Sequence, residues 1–346
     1  MAKDKKSLEA TLSAIRKSYG EGSVFWLDGR DHPTRKIEVI PTGCLALDIA
    51  LGAGGFPRGR IIEIFGGEAV GKSSLCLHAI AQVQKRGGTC AFIDVENALD
   101  PGYSEALGVN LGDILISQPD SGEQAMDIAE KLIRGGDLDL VVIDSVAALL
   151  PKAELAGQIG DSHIGLQARL MSQSCRILSG AIAKSNTMVI LTNQMRSKIA
   201  TSRFGPTTTT SGGNALKYYA STRIQMWAFG KIEDGDDQIG THVRARIVKN
   251  KIAVPFKEAE FDVIFGKGID HFHDLINTGK KLDLVKQSGS WFSFDGENIG
   301  QGLLKSAKAL EEDAPLANKI EDAIRAAAGL PGRFIEPPKA KEEDDG

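Results

Sequence analysis

The octapeptide GGEAVGKS, Gly66 to Ser73, has the spacing GxxxxGK[ST]. It follows an apolar run, RIIEIF, and opens a helical pattern, the context in which such a loop wraps phosphates at a helix N-terminus. Gly66, Gly67, Glu68, Ala69, Val70 and Gly71 would offer backbone N–H groups, Lys72 would hold the β- and γ-phosphates, Ser73 would ligate Mg²⁺, and Ser74 would follow in the first turn. Two acids at the ends of other strand-like runs extend the site. Asp144 in VVIDS is placed as a second carboxylate beside Mg²⁺, and Glu96 in AFIDVENALD can orient water for attack on a γ-phosphate. Three such strand ends together predict hydrolysis of a nucleoside triphosphate.

A second chemistry lies in the charge distribution. Net charge is −4, yet from Ser162 to Ile232 there is no Asp or Glu and there are nine Lys and Arg residues. Segregation of this kind predicts a surface for a polyanion. Within it, QMRSKIATSRFGPTTTTSGGNALK, Gln194 to Lys217, follows the buried-strand pattern MVILTN and reads as a long basic loop. Arg169, Ser172 and Arg176 fall three and four residues apart, on one helix face.

The elements that must position these groups are of the α/β kind. RIIEIF, TCAFIDV, DILISQ, DLVVIDS and MVILTN are short β-branched runs separated by amphipathic helical patterns, which predicts a mostly parallel central sheet covered on both faces. STRIQMWAF, HVRARIVKN and EAEFDVIF lack intervening helices and read as antiparallel extensions of it. SWFSFDGENIG reads as a hairpin turning at Asp-Gly, and Asp313-Ala314-Pro315 as the start of a helix running to about Gly329. Near the N-terminus, Leu8, Leu12 and Ile15 share a helix face ending near Gly20. The strand-like KIEVI follows a polar linker. Helix and strand are expected to dock either on a neighbouring subunit or on their own core. The expected organisation is a helix and linker at 1–34, a core at 35–268, a small α+β lobe at 269–330 and a disordered acidic tail at 331–346.

Composition excludes several classes. No apolar run reaches the roughly 18 residues of a membrane span, and MAKDKKSLEA lacks the apolar core of a signal peptide. Cys44, Cys76, Cys90 and Cys175 show no CxxC spacing, so neither a zinc site nor a disulfide framework is indicated, and a reducing cytoplasm is expected. DHFHD, Asp270 to Asp274, gathers possible metal ligands but lacks a third spaced group; it reads as a surface turn.

Longer motifs carry a resemblance. LALDIALGAGGFPRGRIIEIFGGEAVGKSSL, CAFIDVENALDP, VVIDSVAAL, IGDSHIGLQARLMSQ and VKNKIAVPF, in this order, resemble the bacterial RecA recombinases over roughly residues 5 to 330. The resemblance implies a RecA-type P-loop core with a helix–strand arm and a small C-terminal lobe. It also implies an ATP- and Mg²⁺-dependent helical filament of this chain on single-stranded DNA, which pairs that strand with homologous double-stranded DNA and promotes self-cleavage of a LexA-type repressor.

Carried over by position, Tyr103 would stack on adenine near Asp100 and Glu96 would be the catalytic carboxylate. Gln194 would sense the γ-phosphate. Lys249 and Lys251 would reach a neighbour's ATP across the subunit interface. Two DNA-binding loops would lie at 155–165 and 195–213. Arg196, Lys198, Gly212, Gly213 and Asn214 would meet phosphate, Ile164 and Ile199 would wedge between bases, and Arg244 and Arg246 would serve a second DNA site.

Trp227 and Ala228 depart from basic residues common in relatives, Asn97 from a common His, and Gly67 from a usual Pro. The acidic tail is also short. Three rivals remain: a ring-forming DNA helicase of the same core fold, a P-loop kinase for a metabolite with no DNA dependence, and a filament that wraps DNA without turnover.

Overall fold

The computed structural model describes residues 5–26, 37–158, 163, 165–197 and 208–334. Ile164, Lys198, Ile199, all of the linker at 27–34 and the tail beyond residue 334 lie outside them. Two compact units are present, Met1–Glu38 and Val39–Gly346. In the first, helix α1 spans Lys5–Tyr19, with the Gly20 N–H bonded to the Arg16 carbonyl.

The second unit opens with β1 (Val39–Ile40) and β2 (Phe56–Pro57), which pair antiparallel around helix α2 (Leu45–Leu51). Of the described residues of the KIEVI run, only Val39–Ile40 are strand, and their partner lies in their own chain.

Alternating elements follow: β3 (Ile61–Gly66), α3 (Lys72–Gln84), β4 (Cys90–Asp94), α4 (Pro101–Ala106), β5 (Ile114–Ser117), α5 (Gly122–Gly135), β6 (Leu140–Asp144), α6 (Lys152–Leu155), α7 (Leu166–Ser185) and β7 (Met188–Ser197). Short β8 (Thr208–Thr210) and α8 (Ala215–Tyr219) lead to the long β9 (Thr222–Asp234) and β10 (Asp237–Asn250), then β11 (Glu258–Ile264) and β12 (Gly268–Ile269). Among the described residues the main sheet runs β12-β11-β10-β9-β3-β7-β6-β4-β5, with β8 attached to β7. The pairings from β9 through β3 to β5 are parallel, and those from β9 to β12 are antiparallel.

The inner parallel strands β3, β4 and β6 read as unbroken apolar runs because both faces are covered, while the edge strand β5 is partly exposed. Ile62, Ile64, Phe92, Val142 and Ile190 belong to the core shared with Leu75, Ala79, Ile80 and Val83 of α3. Their alternates Ile61, Ile93, Val141, Ile143 and Leu191 share the opposite core with Ala129 and Ile133 of α5 and with Cys175, Leu178 and Ile182 of α7. Each fully buried large apolar side chain contributes roughly 1.5–3 kcal/mol, so the sheet is a stiff base for the loops at its strand ends. The four cysteines are buried and unbridged.

The rest forms a lobe with its own core: α9 (His271–Lys281), β13 (Val285–Ser288), β14 (Trp291–Phe294), β15 (Glu297–Gln301), α10 (Leu303–Glu312) and α11 (Ala314–Ala327). The hairpin turns at Asp295-Gly296, both with positive φ, and Asp313 caps α11 by accepting from the Leu316 N–H at 3.0 Å.

DHFHD is not a surface turn. Asp270 caps α9, while His273 and Asp274 are buried. His273 Nδ1 is 3.2 Å from Asp262 Oδ2. The Asp274 carboxylate accepts from the N–H groups of Leu45 and Ala46, capping α2, whose own cap residue Cys44 makes no side-chain bond. Among the described residues no group of three or more His, Cys, Asp and Glu side chains could hold a metal ion.

Candidate functional site

Lys72, Asp144, Glu96 and Gln194 converge at the C-terminal ends of β3, β6, β4 and β7, where parallel sheets bind ligands. Gly71 has φ 79°, the left-handed turn that lets the loop enter α3. Gly66 is required for another reason. A Cβ there would lie 2.1 Å from the Met226 carbonyl oxygen of the adjacent β9. At Gly67 the nearest atom to an added Cβ is Val70 Cγ1, at 3.9 Å, so that departure from Pro costs no packing.

The Lys72 ammonium donates to the Gly67 carbonyl across the mouth of the loop. Burial pulls its pKa down, opposed by the charges of Asp144 and Glu96. Ser73 Oγ donates to Asp144 Oδ2 at 2.6 Å, and Thr192 Oγ1 donates to Asp144 Oδ1. Burial raises the Asp144 pKa, and these two hydroxyls oppose the rise. A hydroxyl backed by a carboxylate is a hard-oxygen donor set that suits Mg²⁺. The residues present therefore fit the nucleotide–Mg²⁺ pair. The Asp144–Ser145 peptide is cis.

Glu96 Oε1 accepts from the Ser145 hydroxyl and lies 3.4 Å from Gln194 Nε2. Asn97 has φ 53°, a left-handed conformation that Asn tolerates better than most residues, which accounts physically for Asn at this departure. The turn is pinned by Asp94, whose carboxylate accepts from the N–H groups of Ala98 and Leu99 and from Gln118 Nε2. No motif marks Asp94, Ser145 or Thr192. Asp94 and Thr192 sit in apolar runs at strand ends, where buried polar residues were an available signal.

Tyr103 OH lies 2.6 Å from Ser74 Oγ, and Asp100 caps α4 through the Tyr103 N–H. This places the expected base-stacking ring beside the first turn of α3. The Lys249 ammonium donates to the carbonyls of Lys217 and Tyr218 at 2.6 and 3.0 Å, in the last turn of α8, while Lys251 is exposed.

The expected loop at 195–213 is partly strand. Met195 to Ser197 continue β7 and pair with Thr208 to Thr210. Gly212 and Gly213 have φ 77° and 72°, and an added Cβ would meet Met171 Cγ at 2.9 Å and Ala168 Cβ at 2.8 Å. Their smallness serves packing against α7 as well as any phosphate. Asn214 precedes α8 without capping it by its side chain.

Arg169, Ser172 and Arg176 are all exposed on α7, as their spacing required. Arg244 and Arg246, expected to serve a second DNA site, are paired with acids of the neighbouring strand. They face Glu260 and Glu258 across the β10–β11 ladder, Arg244 with both Nε and Nη2 on Glu260 and with its guanidinium 5.0 Å from the Phe229 ring centre. Arg246 Nε is 3.6 Å from Glu258. Trp227 stands opposite Arg244 on β9.

Comparison with known proteins gives the same frame over almost the whole chain. A model of the RecA N-terminal domain matches residues 6–270 and one of the RecA C-terminal domain matches 273–329. The chain belongs to the RecA family. Protein RecA of Parvibaculum lavamentivorans is 54% identical over 326 residues, covering 94% of this chain and 89% of that protein. Protein RecA of Paramagnetospirillum magneticum is 52% identical, covering 94% and 90%. Protein RecA 2 of Myxococcus xanthus is also 52% identical, with 94% and 90% covered. The RecA N-terminal match contains every strand end that meets at Lys72, and the C-terminal match covers most of the small lobe's core, which also takes in Leu45 of α2.

Proposed function

We propose that this chain is a DNA-dependent ATPase that forms a helical filament on single-stranded DNA and catalyses homologous pairing and strand exchange in recombinational repair. It works in the bacterial cytoplasm, takes homologous duplex as its second DNA, and promotes self-cleavage of a LexA-type repressor. The observation that carries the reading is the approach of Gln194 Nε2 to Glu96 Oε1 at 3.4 Å. It joins the candidate catalytic carboxylate to the residue that precedes the 195–213 loop, inside the stretch free of acids.

ATP binds on the loop 66–73 with Lys72 on its phosphates. Mg²⁺, held through Ser73 and Asp144, would supply charge neutralisation on the phosphate oxygens. Glu96 orients the attacking water and accepts its proton. Gln194 contacts the γ-phosphate and transmits its presence to the loop that follows. Arg169, Ser172 and Arg176 then line the strand's phosphates, with Arg196, Lys198, Gly212, Gly213 and Asn214. Self-assembly is supported by the sheet edge at β5, where Leu115 and Ile116 are 51% and 47% exposed, a surface that an apolar helix or strand of a second copy can cover.

The test is ATP hydrolysis with and without single-stranded DNA across a salt series. Strong stimulation that fades with salt is expected. Steady hydrolysis indifferent to DNA would overturn the reading in favour of a metabolite kinase.

A further inference from the structure

Asn193, the residue before Gln194 on β7, is fully buried. Its Oδ1 accepts from the Gln194 N–H at 2.9 Å, and its Nδ2 donates to Glu63 Oε1 and to the Ser211 carbonyl, both at 3.0 Å. Glu63 lies on β3, the strand that runs into the phosphate loop, and is itself fully buried. It is ion-paired with Arg223 of β9, whose guanidinium lies 4.6 Å from the ring centre of Phe65.

The register explains the convergence. Glu63 stands opposite Leu191 on one side and Arg223 on the other, and Phe65 stands opposite Asn193. Glu63 and the residue across from Asn193 are two apart, so they share a face of the sheet.

Ser211 closes the limb that returns from residues 198–207. Its own Oγ and that of Thr210 (Oγ1) are buried and find no partner among the described residues. Side-chain anchoring of this limb comes from Asn193 at the Ser211 carbonyl and, one residue on, from Gln167 of α7, whose Oε1 accepts from the Gly212 N–H at 3.3 Å. A buried carboxylate–guanidinium pair is seldom the cheapest filling for a core, and its best-attested use is to specify one arrangement.

We propose that Glu63, Arg223 and Asn193 form a positioning strut that ties both roots of the 195–213 loop to the phosphate-loop strand, so that nucleotide-dependent movement of Gln194 moves both limbs together. The proposal rests on the DNA-dependent ATPase reading, in which Gln194 senses nucleotide. Asn193 touches neither nucleotide nor DNA in this role; it acts through Gln194 and Ser211.

The experiment is hydrogen exchange on the full chain with and without a non-hydrolysable ATP analogue, reading peptides over 188–197 and 208–219, paired with hydrolysis assays. Asn193→Asp keeps the acceptor for the Gln194 N–H, loses both donors and sets a second carboxylate against Glu63. Adding Glu63→Gln removes that repulsion but leaves the Ser211 carbonyl without its donor.

In the unaltered protein the analogue is expected to slow exchange in both peptides. In Asn193→Asp it should slow only the first. DNA stimulation should fall at least tenfold, while DNA-free hydrolysis and the KM for ATP stay within twofold. The double variant should regain thermal stability yet stay poorly stimulated.

If the double variant recovers stimulation together with stability, the strut is merely structural and the proposal is overturned. A response of the second peptide in Asn193→Asp, or its silence in the unaltered protein while the first responds, overturns it equally. Silence of both peptides in the unaltered protein sinks the nucleotide-sensing reading itself, and the strut with it.

Discussion

Glu96 holds its place between the Ser145 hydroxyl and the Gln194 amide, at the end of a turn whose shape is set by Asp94 and by the left-handed Asn97. Neither of these hydrogen-bonding neighbours carries a charge. Glu96→Gln keeps the shape and one acceptor but cannot take a proton. It should lower kcat for ATP hydrolysis by about 10²–10³-fold with nucleotide affinity little changed, as read by single-turnover hydrolysis beside equilibrium binding of ATP. Unchanged turnover would return the non-hydrolysing filament to contention. The glycines teach a related lesson at this scale. Gly66 exists for the Met226 carbonyl and Gly212 for the Met171 side chain, so their identity reports sheet and helix packing before it reports any phosphate.

At the scale of elements, α7 presents one face to the core through Met171, Cys175, Leu178 and Ile182 and the other, with Arg169 and Arg176, to solvent. The exposed pair has no acid on its own helix to compete with phosphate. Arg169→Ala combined with Arg176→Ala should therefore flatten the slope of log affinity against log salt for single-stranded DNA by about 1.4, two contacts at about 0.7 each. Fluorescence anisotropy at four or more salt concentrations checks this, and an unchanged slope would remove α7 from the DNA path. β10 is the contrasting element: its Arg244 and Arg246 are matched to Glu260 and Glu258 of β11. A second DNA bound there must compete with carboxylates already in place.

At the scale of the whole second unit, a buried charged junction joins the core to the small lobe. Asp48 of α2 is 1% exposed and Arg325 of α11 lies 3.9 Å away. Burial pushes the Asp48 carboxyl up to about 7, partly offset by its bonds to Thr42 and by Arg325. The folded chain thus keeps a proton that the unfolded chain releases near pH 4. Stability from this group is present below pH 4 and is lost as pH climbs towards 7. Asp48→Asn removes the titration, so the drop in melting temperature between pH 5 and pH 8 should shrink relative to the unaltered protein, by the equivalent of on the order of 1–3 kcal/mol. An identical drop in both proteins would show that other groups set the profile. The His78 ring, lowered to about 4 by burial, works in the opposite sense, gaining stability as pH rises to about 6.5.

What was legible in the chain followed from local periodicity and from groups whose spacing is itself the chemistry. The parallel strands showed as apolar runs because both faces are buried, the phosphate loop because its turn needs Gly71 before Lys72, and the Asp-Gly hairpin because its turn needs positive φ. The exposed face of α7 followed from spacings of three and four. The extended motifs pointed to the RecA family without any coordinates.

Long-range partners were not legible, because nothing in the order of residues encodes which distant groups will touch. Only the folded chain decided that Asp274 caps α2 rather than belonging to a surface turn, that Arg244 and Arg246 are neutralised across a ladder, and that residues 195–197 and 208–210 pair as strands. The gathering of Glu63, Asn193 and Arg223 is of the same kind: these residues lie far apart in the chain and meet because three neighbouring strands, in one register, bring their side chains to a single face, where Asn193 also reaches the Ser211 carbonyl.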